Sequence, residues 1–204
     1  MDNYIISTIT QEQKDVLGRL CQKAAIKDKP YSSCEVGCFT GESTSVFGNQ
    51  AKKRNEIHYA IDWFKGTPTS VLTHHLYGYD IFLIFILNLR KLGLTDVVNT
   101  LHMTSEEAAN ILKDNLFNII FIDGDHRYKG IKRDIELFYP KLKKGGILCG
   151  HDYDCHPNKA PFDITKHLDV DCYEQIHCGV IHAVNKKFGK PETKHKIWWI
   201  EKHG

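Results

Sequence analysis

Residues 117–154 read FNIIFIDGDHRYKGIKRDIELFYPKLKKGGILCGHDYD, and their pattern decides the fold. Two short apolar runs, Ile119 to Ile122 and Ile147 to Cys149, have the length and composition of strands buried on both faces. Between them Ile131, Ile135, Phe138 and Leu142 recur at helical spacing, with Lys132, Arg133, Asp134 and Glu136 opposite, which predicts an amphipathic helix. Pro140 falls in its last turn, and Gly145-Gly146 are expected to end it.

A crossover of this length makes the two strands parallel and the connection right-handed, so both carboxyl ends lie on one edge of the sheet. Asp123, Asp125 and His126 follow the first strand; His151 and Asp152 follow the second. They face the crevice in which open α/β sheets bind ligands. Any one of them alone reads as a solvated loop residue. Two such clusters on adjacent strand ends offer carboxylates for a hard cation and imidazoles for proton transfer.

Toward the N-terminus, residues 32–48 read SSCEVGCFTGESTSVFG. A short strand through Cys34 and Val36 enters Gly37, Gly41 follows, and Ser43 to Phe47 begin a helix. Small residues at a strand-to-helix turn let a ligand approach backbone amides that have no helical partner. Glycines also mark ordinary turns, so the spacing by itself is a weak signal. The next apolar run, Ile57 to Ile61, ends at Asp62, about twenty residues beyond Gly41, where an acid can accept hydrogen bonds from two ribose hydroxyls. The alternative is a strand-end aspartate that opens the turn toward Gly66.

Around this centre, Thr10 and Gln13 form a capping box for a helix over residues 10–26, with Val16, Leu17, Leu20 and Ala24 inward. Residues 63–80 read as a lid, carrying His74, His75, Tyr77 and Tyr79, that leads into an apolar helix from Ile81 to Leu92. Val97 to Met103 forms a further strand, and Thr104-Ser105 caps a helix from Glu106 to Leu116. Tyr153 to Asp171 is irregular; a helix across Val180, Val184 and Phe188 follows. Lys190-Pro191 breaks the chain before a last strand, Lys196 to Glu201.

With 204 residues and 42% hydrophobic content, the chain suits one domain, residues 1–204. A net charge of +2 with mixed signs shows no basic stripe, which argues against nucleic acid as a partner. The seven cysteines contain no CxxC and read as free thiols in a reducing compartment. MDNYIISTIT lacks the features of a signal peptide, and Ile81 to Leu89 is too short to cross a bilayer. The expectation is a soluble, cytoplasmic protein without a membrane partner.

With these residues placed, the chain resembles a class I S-adenosylmethionine-dependent methyltransferase from about Gln11 to Lys202. EVGCFTGEST is similar to that family's first motif and YAIDWFKG to its ribose-binding stretch. The combination of FIDGDH and GGILCGHDY is similar to the small branch that methylates macrolide sugars and other glycosides, with catechol O-methyltransferases more distant. The resemblance implies a single α/β fold: a Rossmann-like, doubly wound, mainly parallel seven-stranded sheet with helices on both faces and an antiparallel final strand. It implies that Glu35, Gly37, Cys38, Phe39, Thr40, Gly41 and Ser43 shape the cofactor turn. Asp62 would hold the ribose, and Trp63 and Ser105 would border the adenine.

The same resemblance makes Asp123 a catalytic metal-binding residue and His126 the general base. His151-Asp152 falls where catechol-type enzymes carry Asp-Asn, so the implied metal set is Asp123, His151 and Asp152. Carboxylates favour Mg²⁺ or Mn²⁺, and an imidazole at His151 tilts the set toward Mn²⁺ or another transition metal. The implied acceptor is a small molecule or glycan, a sugar hydroxyl such as that of a deoxysugar like rhamnose, with a catechol or phenol as the alternative. A homo-oligomer is compatible with all of this. Two rival classes share parts of the pattern. A nicotinamide-binding oxidoreductase would carry GxGxxG, where this turn is GxxxG. A non-catalytic domain of methyltransferase descent would not need Asp62, Asp123, His126 and Asp152 intact.

Overall fold

The computed structural model describes residues 8–25, 30–66 and 79–203. Seven strands form one sheet: β1 (Ser32–Val36), β2 (Ile57–Asp62), β3 (Val98–His102), β4 (Phe117–Ile122), β5 (Leu142–Gly150), β6 (Glu192–Lys194) and β7 (Ile197–Glu201). Their order is β3-β2-β1-β4-β5-β7-β6. The first five are parallel to one another, and β7 runs antiparallel to both β5 and β6. The α/β sheet with an antiparallel β7 is the one that the motifs imply. Strand order reverses between β1 and β4, so the crevice at that switch point opens beside Gly37 and Asp123.

Six helices are present among the described residues: α1 (Gln11–Ala25), α2 (Glu42–Arg54), α3 (Ile81–Leu92), α4 (Ser105–Ile111), α5 (Tyr128–Phe138) and α6 (Cys178–Phe188). All six residues of β4 are buried because both faces of the sheet are covered. Ile119 and Phe121 pack with Val16, Leu17, Leu20 and Cys21 of α1 and with Phe47 of α2. Ile120 and Ile122 pack with Ile131, Ile135 and Phe138 of α5 and with Val180 and Val184 of α6.

Local signals set several boundaries. The Thr10–Gln13 capping box is present: Thr10 N–H donates to Gln13 Oε1 at 2.7 Å, and Gln13 N–H to Thr10 Oγ1 at 3.4 Å. Thr104 and Glu107 make a second box at the start of α4. That helix stops at Ile111, short of the expected Leu116.

The expected end of α5 at Gly145-Gly146 is corrected. The helix closes at Phe138, two residues before Pro140, whose nitrogen has no proton to continue the ladder, and β5 already begins at Leu142. Gly145 and Gly146 lie inside β5, where the pairing jumps from Phe117↔Leu142 to Ile119↔Ile147 and the surplus residues bulge, Gly145 at φ 73°. The sequence reading also misses β6. Its three residues are exposed and carry no apolar alternation. His195 and Lys196 then take φ of 51° and 65°, the left-handed pair that closes a two-residue hairpin into β7. The expected irregular stretch after Tyr153 contains two 3₁₀ turns, Pro157–Lys159 and Ile164–His167. Most of the expected lid, residues 67–78, lies outside the described residues.

Candidate functional site

The half of the crevice around Gly37 and Asp62 is built on backbone. Gly37 sits at φ 85°, and an added Cβ would collide with the carbonyl of Asp123, so only glycine lets β1 and β4 approach this closely at the switch point. Gly37 N–H donates to Ile61 O and Asp123 N–H to Val36 O, each at 2.8 Å, which ties the ends of β1, β2 and β4 together. Phe39 at φ 45° and Gly41 at φ 94° carry the chain round into α2.

Asp62 lies against this turn. Its Oδ2 accepts the backbone N–H of Cys38 and of Phe39 at 2.9 Å each, and its Oδ1 accepts that of Phe64 at 2.7 Å. Burial pushes its carboxyl above the usual aspartate range, against the pull of those three amides. Glu35 is fully buried beneath the turn, where Thr44 Oγ1 donates to its Oε2 at 2.6 Å and His58 Nε2 lies 3.5 Å away. Its Oε1 has no protein partner, so the turn keeps one buried acceptor in reserve.

Thr40 is buried, and Asn88 Nδ2 donates to its carbonyl at 2.8 Å. Ser43 is 7% exposed in the first turn of α2. Trp63 is 40% exposed, with its carbonyl 3.2 Å from His102 Nε2. Ser105 Oγ donates to Asp134 Oδ1 at 2.6 Å. Burial raises the Asp134 carboxyl to about 6, the Ser105 and Arg133 contacts partly offsetting it. All the cofactor-turn residues named from sequence therefore sit at the carboxyl ends of β1, β2 and β3. Asn88, Phe85 and Phe64, which wedge α3 against the turn, were not legible because they read as ordinary helix and loop residues.

The second half of the site is built on charge. Register pairing of Ile122 with Gly150 puts Asp123 beside His151 and Asp152. Ligand-capable atoms of Asp123, His151 and Asp152 all lie within 4.8 Å of one another. His151 Nδ1 is 3.1 Å from Asp152 Oδ1 and 3.8 Å from Asp123 Oδ1, while its Nε2 is buried without a partner. Asp152 holds φ 61°, a left-handed conformation that aspartate tolerates better than most residues. Burial would raise its carboxyl, but the hydrogen bond from His151 and the nearby His126 and His177 hold it well below the usual range.

His126 stands among three carboxylates. Its Nδ1 is 3.0 Å from Asp171 Oδ1, and its Nε2 is 3.4 Å from Asp123 Oδ1 and 3.3 Å from Asp152 Oδ2. Burial disfavours its charge, yet the Asp123 and Asp171 hydrogen bonds and the Asp152 charge outweigh that and raise its pKa well above the ordinary histidine value. Two histidines compete for these acids with a third, His177. Its Nδ1 lies 2.9 Å from Asp154 Oδ2 and 3.5 Å from Asp152 Oδ1. Asp125, named from sequence with this cluster, instead turns away to clamp Arg127 at 2.7 Å.

Asp154, Asp171 and His177 were missed by sequence reasoning. They lie in and after the irregular stretch, and nothing in their spacing announces them. His177 arrives because Gly179, in the first turn of α6, lets that helix press against the backbone of His126 and Tyr128, where a Cβ would collide. Lys196, on the β6–β7 hairpin, closes the far side with Nζ 2.7 Å from Asp154 Oδ1.

A doubly wound sheet with a glycine turn after β1, an acid after β2 and a carboxylate–histidine cluster across β4 and β5 defines a methyltransferase of the S-adenosylmethionine-dependent class. The comparisons agree. A protein-family model described as a methyltransferase domain matches residues 34–153, more than half of the chain, and the chain belongs to that family. The O-methyltransferase NovP has a structure similar to this one, with a TM-score of 0.71 at 14% identity over 97% of this chain and 82% of that chain. A putative caffeoyl-CoA O-methyltransferase from Staphylococcus aureus gives 0.65 at 13% identity over 98% and 86%. The TDP-rhamnose 3′-O-methyltransferase of calicheamicin biosynthesis gives 0.57 at 17% identity over 93% and 76%. These likenesses are likenesses of fold. An uncharacterized protein of Acanthamoeba polyphaga mimivirus is 44% identical over 39 residues, 19% of this chain, so the match spans 18% of that relative's length. Among the described residues no helix is long and apolar enough to cross a membrane.

Proposed function

We propose that this methyltransferase transfers its methyl group to a hydroxyl oxygen, with divalent-metal assistance, and that the hydroxyl belongs to a sugar or glycan, a deoxysugar such as rhamnose being the favoured case. The observation that carries the reading is His126, fixed by Asp171 at Nδ1 and facing Asp123 and Asp152 with Nε2. A sugar hydroxyl is far less acidic than a catechol and needs a positioned base, so this constellation supports the sugar. The fold likeness to the TDP-rhamnose enzyme points the same way, and that to the caffeoyl-CoA type keeps a catechol or phenol as the alternative.

The cofactor would supply a methyl group on a sulfonium centre, and the bound cation would lower the pKa of the acceptor hydroxyl. The residues present fit both groups. Gly37 to Gly41 carry β1 into α2 at the edge of the crevice, and Glu35 Oε1 is a buried acceptor without a protein partner. Asp123 and Asp152 would hold the cation, with His151 as third ligand. The rest is positioning, because an in-line displacement needs the acceptor oxygen and methyl carbon aligned and one proton removed. Asp171 holds the His126 ring at Nδ1, and Nε2 takes the acceptor proton only from the neutral ring, after the proton it shares with Asp123 and Asp152 has left for solvent; a cation on those two carboxylates would favour that loss.

Incubation with labelled S-adenosylmethionine and a panel of free sugars, short glycans and catechols tests the acceptor. Label on sugars is expected, and label on catechols alone overturns the sugar. Activity should be lost in EDTA and restored by Mn²⁺; full activity in EDTA removes the cation from the reading.

A further inference from the structure

Beside the Asp123–His151–Asp152 group lies a second set, and it uses a different kind of donor. One ring nitrogen of His126, one of His177 and a carboxylate oxygen of Asp152 lie within 4.8 Å of one another. Two imidazoles and one carboxylate suit a borderline transition cation of the zinc class, whereas two carboxylates and one imidazole suit a harder ion. We propose that His126, Asp152 and His177 form a zinc-class cation site that is separate from the set around His151 and shares only Asp152 with it.

Two independent features support a built site. His177 is positioned by Asp154, which lies 2.9 Å from Nδ1 and accepts the His177 backbone N–H at 2.7 Å, the same Nδ1 being 3.5 Å from Asp152; His126 is anchored from outside by Asp171, 3.0 Å from Nδ1, which leaves Nε2 toward Asp152. That pairing is how metal-ligating histidines are oriented in proteins. The rings themselves meet edge to face, with centroids 5.0 Å apart at 72°, held together by the close approach of α6 at Gly179. The shared carboxylate is largely buried, with 10% of its side chain exposed, so an ion here would be taken largely out of water.

The consequence for the reaction is inhibition. A cation on His126 occupies the nitrogen proposed to take the acceptor proton, so zinc should suppress turnover that Mg²⁺ or Mn²⁺ supports. The binding claim stands apart from the acceptor and the base, because it is read without cofactor or substrate.

The test is a zinc titration of the chelator-stripped full chain, followed by calorimetry against a competing chelator. Wild type should bind zinc. Both His177→Ala and His177→Gln should weaken it by about a hundredfold and Asp154→Asn by about tenfold, in keeping with the usual cost of losing a ligand or its outer partner. His151→Ala should leave it within about threefold of wild type. Zinc affinity unchanged in folded His177→Gln overturns the proposal, as does an equal loss in His151→Ala, which would put the ion on the other set. Should the variants not fold, long-range ¹H–¹⁵N spectra of the wild type decide: the ring nitrogens of His126 and His177 must shift on adding zinc, and a shift confined to His151 overturns the proposal.

Discussion

The two halves of the crevice are satisfied in opposite ways. Around Gly37 and Asp62 the polar groups largely answer one another: one carboxylate takes three backbone N–H groups within 2.9 Å, from residues 38, 39 and 64. Around Asp123 and Asp152 the charges answer one another poorly. Asp123, Asp152, Asp154 and Asp171 converge on His126, His151 and His177 at distances mostly between 3.0 and 3.8 Å, and one buried ring nitrogen has no partner. The first half is a cradle of backbone with one buried acceptor, Glu35 Oε1, left open. The second is a cluster of carboxylates interleaved with histidines, two of which, His126 and His151, the neighbouring acids hold above the ordinary imidazole range.

The largest effect that separates the halves should come from His126→Ala. Losing a general base costs about 10²- to 10⁴-fold in kcat, while affinity for S-adenosylhomocysteine by calorimetry should stay near wild type. An active variant sinks the assigned base, and a parallel loss of cofactor affinity joins what the comparison divides.

Gly37→Ala attacks the other half. The collision with the Asp123 carbonyl adds to the cost of φ 85° on a residue with a side chain, together about 3 kcal/mol or more. For a chain of this length that lowers Tm by roughly 6–12 °C. Differential scanning calorimetry reads it, and an unchanged Tm would mean that β1 and β4 do not approach as described.

Asp62→Ala should be milder and double in character. Loss of the charge-assisted bonds proposed between Asp62 and the cofactor ribose should weaken S-adenosylhomocysteine binding by about 1.5–3 kcal/mol. Because Asp62 also ties down Cys38, Phe39 and Phe64, some stability is lost with it. Wild-type affinity in this variant removes Asp62 from the cofactor site and leaves it a brace of the turn.

The last effect concerns Asp134, which accepts a hydrogen bond from Ser105. Its folded-state pKa of about 6 lies above that of an unfolded aspartate. Between roughly pH 4 and 6 the native state therefore keeps a proton that the unfolded chain releases, and its contribution to stability, present at low pH, is lost as pH rises through about 6. Denaturant unfolding at several pH values should show a decline of up to about 3 kcal/mol across that window. Asp134→Asn should flatten it, and an identical pH slope in the variant would assign the decline elsewhere.

What was readable in the sequence follows the range of the forces involved. The strands β1, β2, β4 and β5, the capping boxes and the glycine turn are local: period, cap chemistry and small residues specify them within a few positions, and strand ends then bring Asp62, Asp123, His151 and Asp152 to one edge through the crossover rule alone. The bulge at Gly145-Gly146 and the exposed β6 escaped because neither has a period of its own. Asp154, Asp171 and His177 escaped for a different reason. Asp171 reaches His126, and His177 reaches Asp152 and Asp154, only after α6 has packed on α5, across separations of up to 45 residues, and no local pattern encodes a contact whose partners are chosen by packing. The sequence by itself determined which chemistry stands at the strand ends; the tertiary structure decided which charges share it, because electrostatic partnership depends on distance in space and not along the chain.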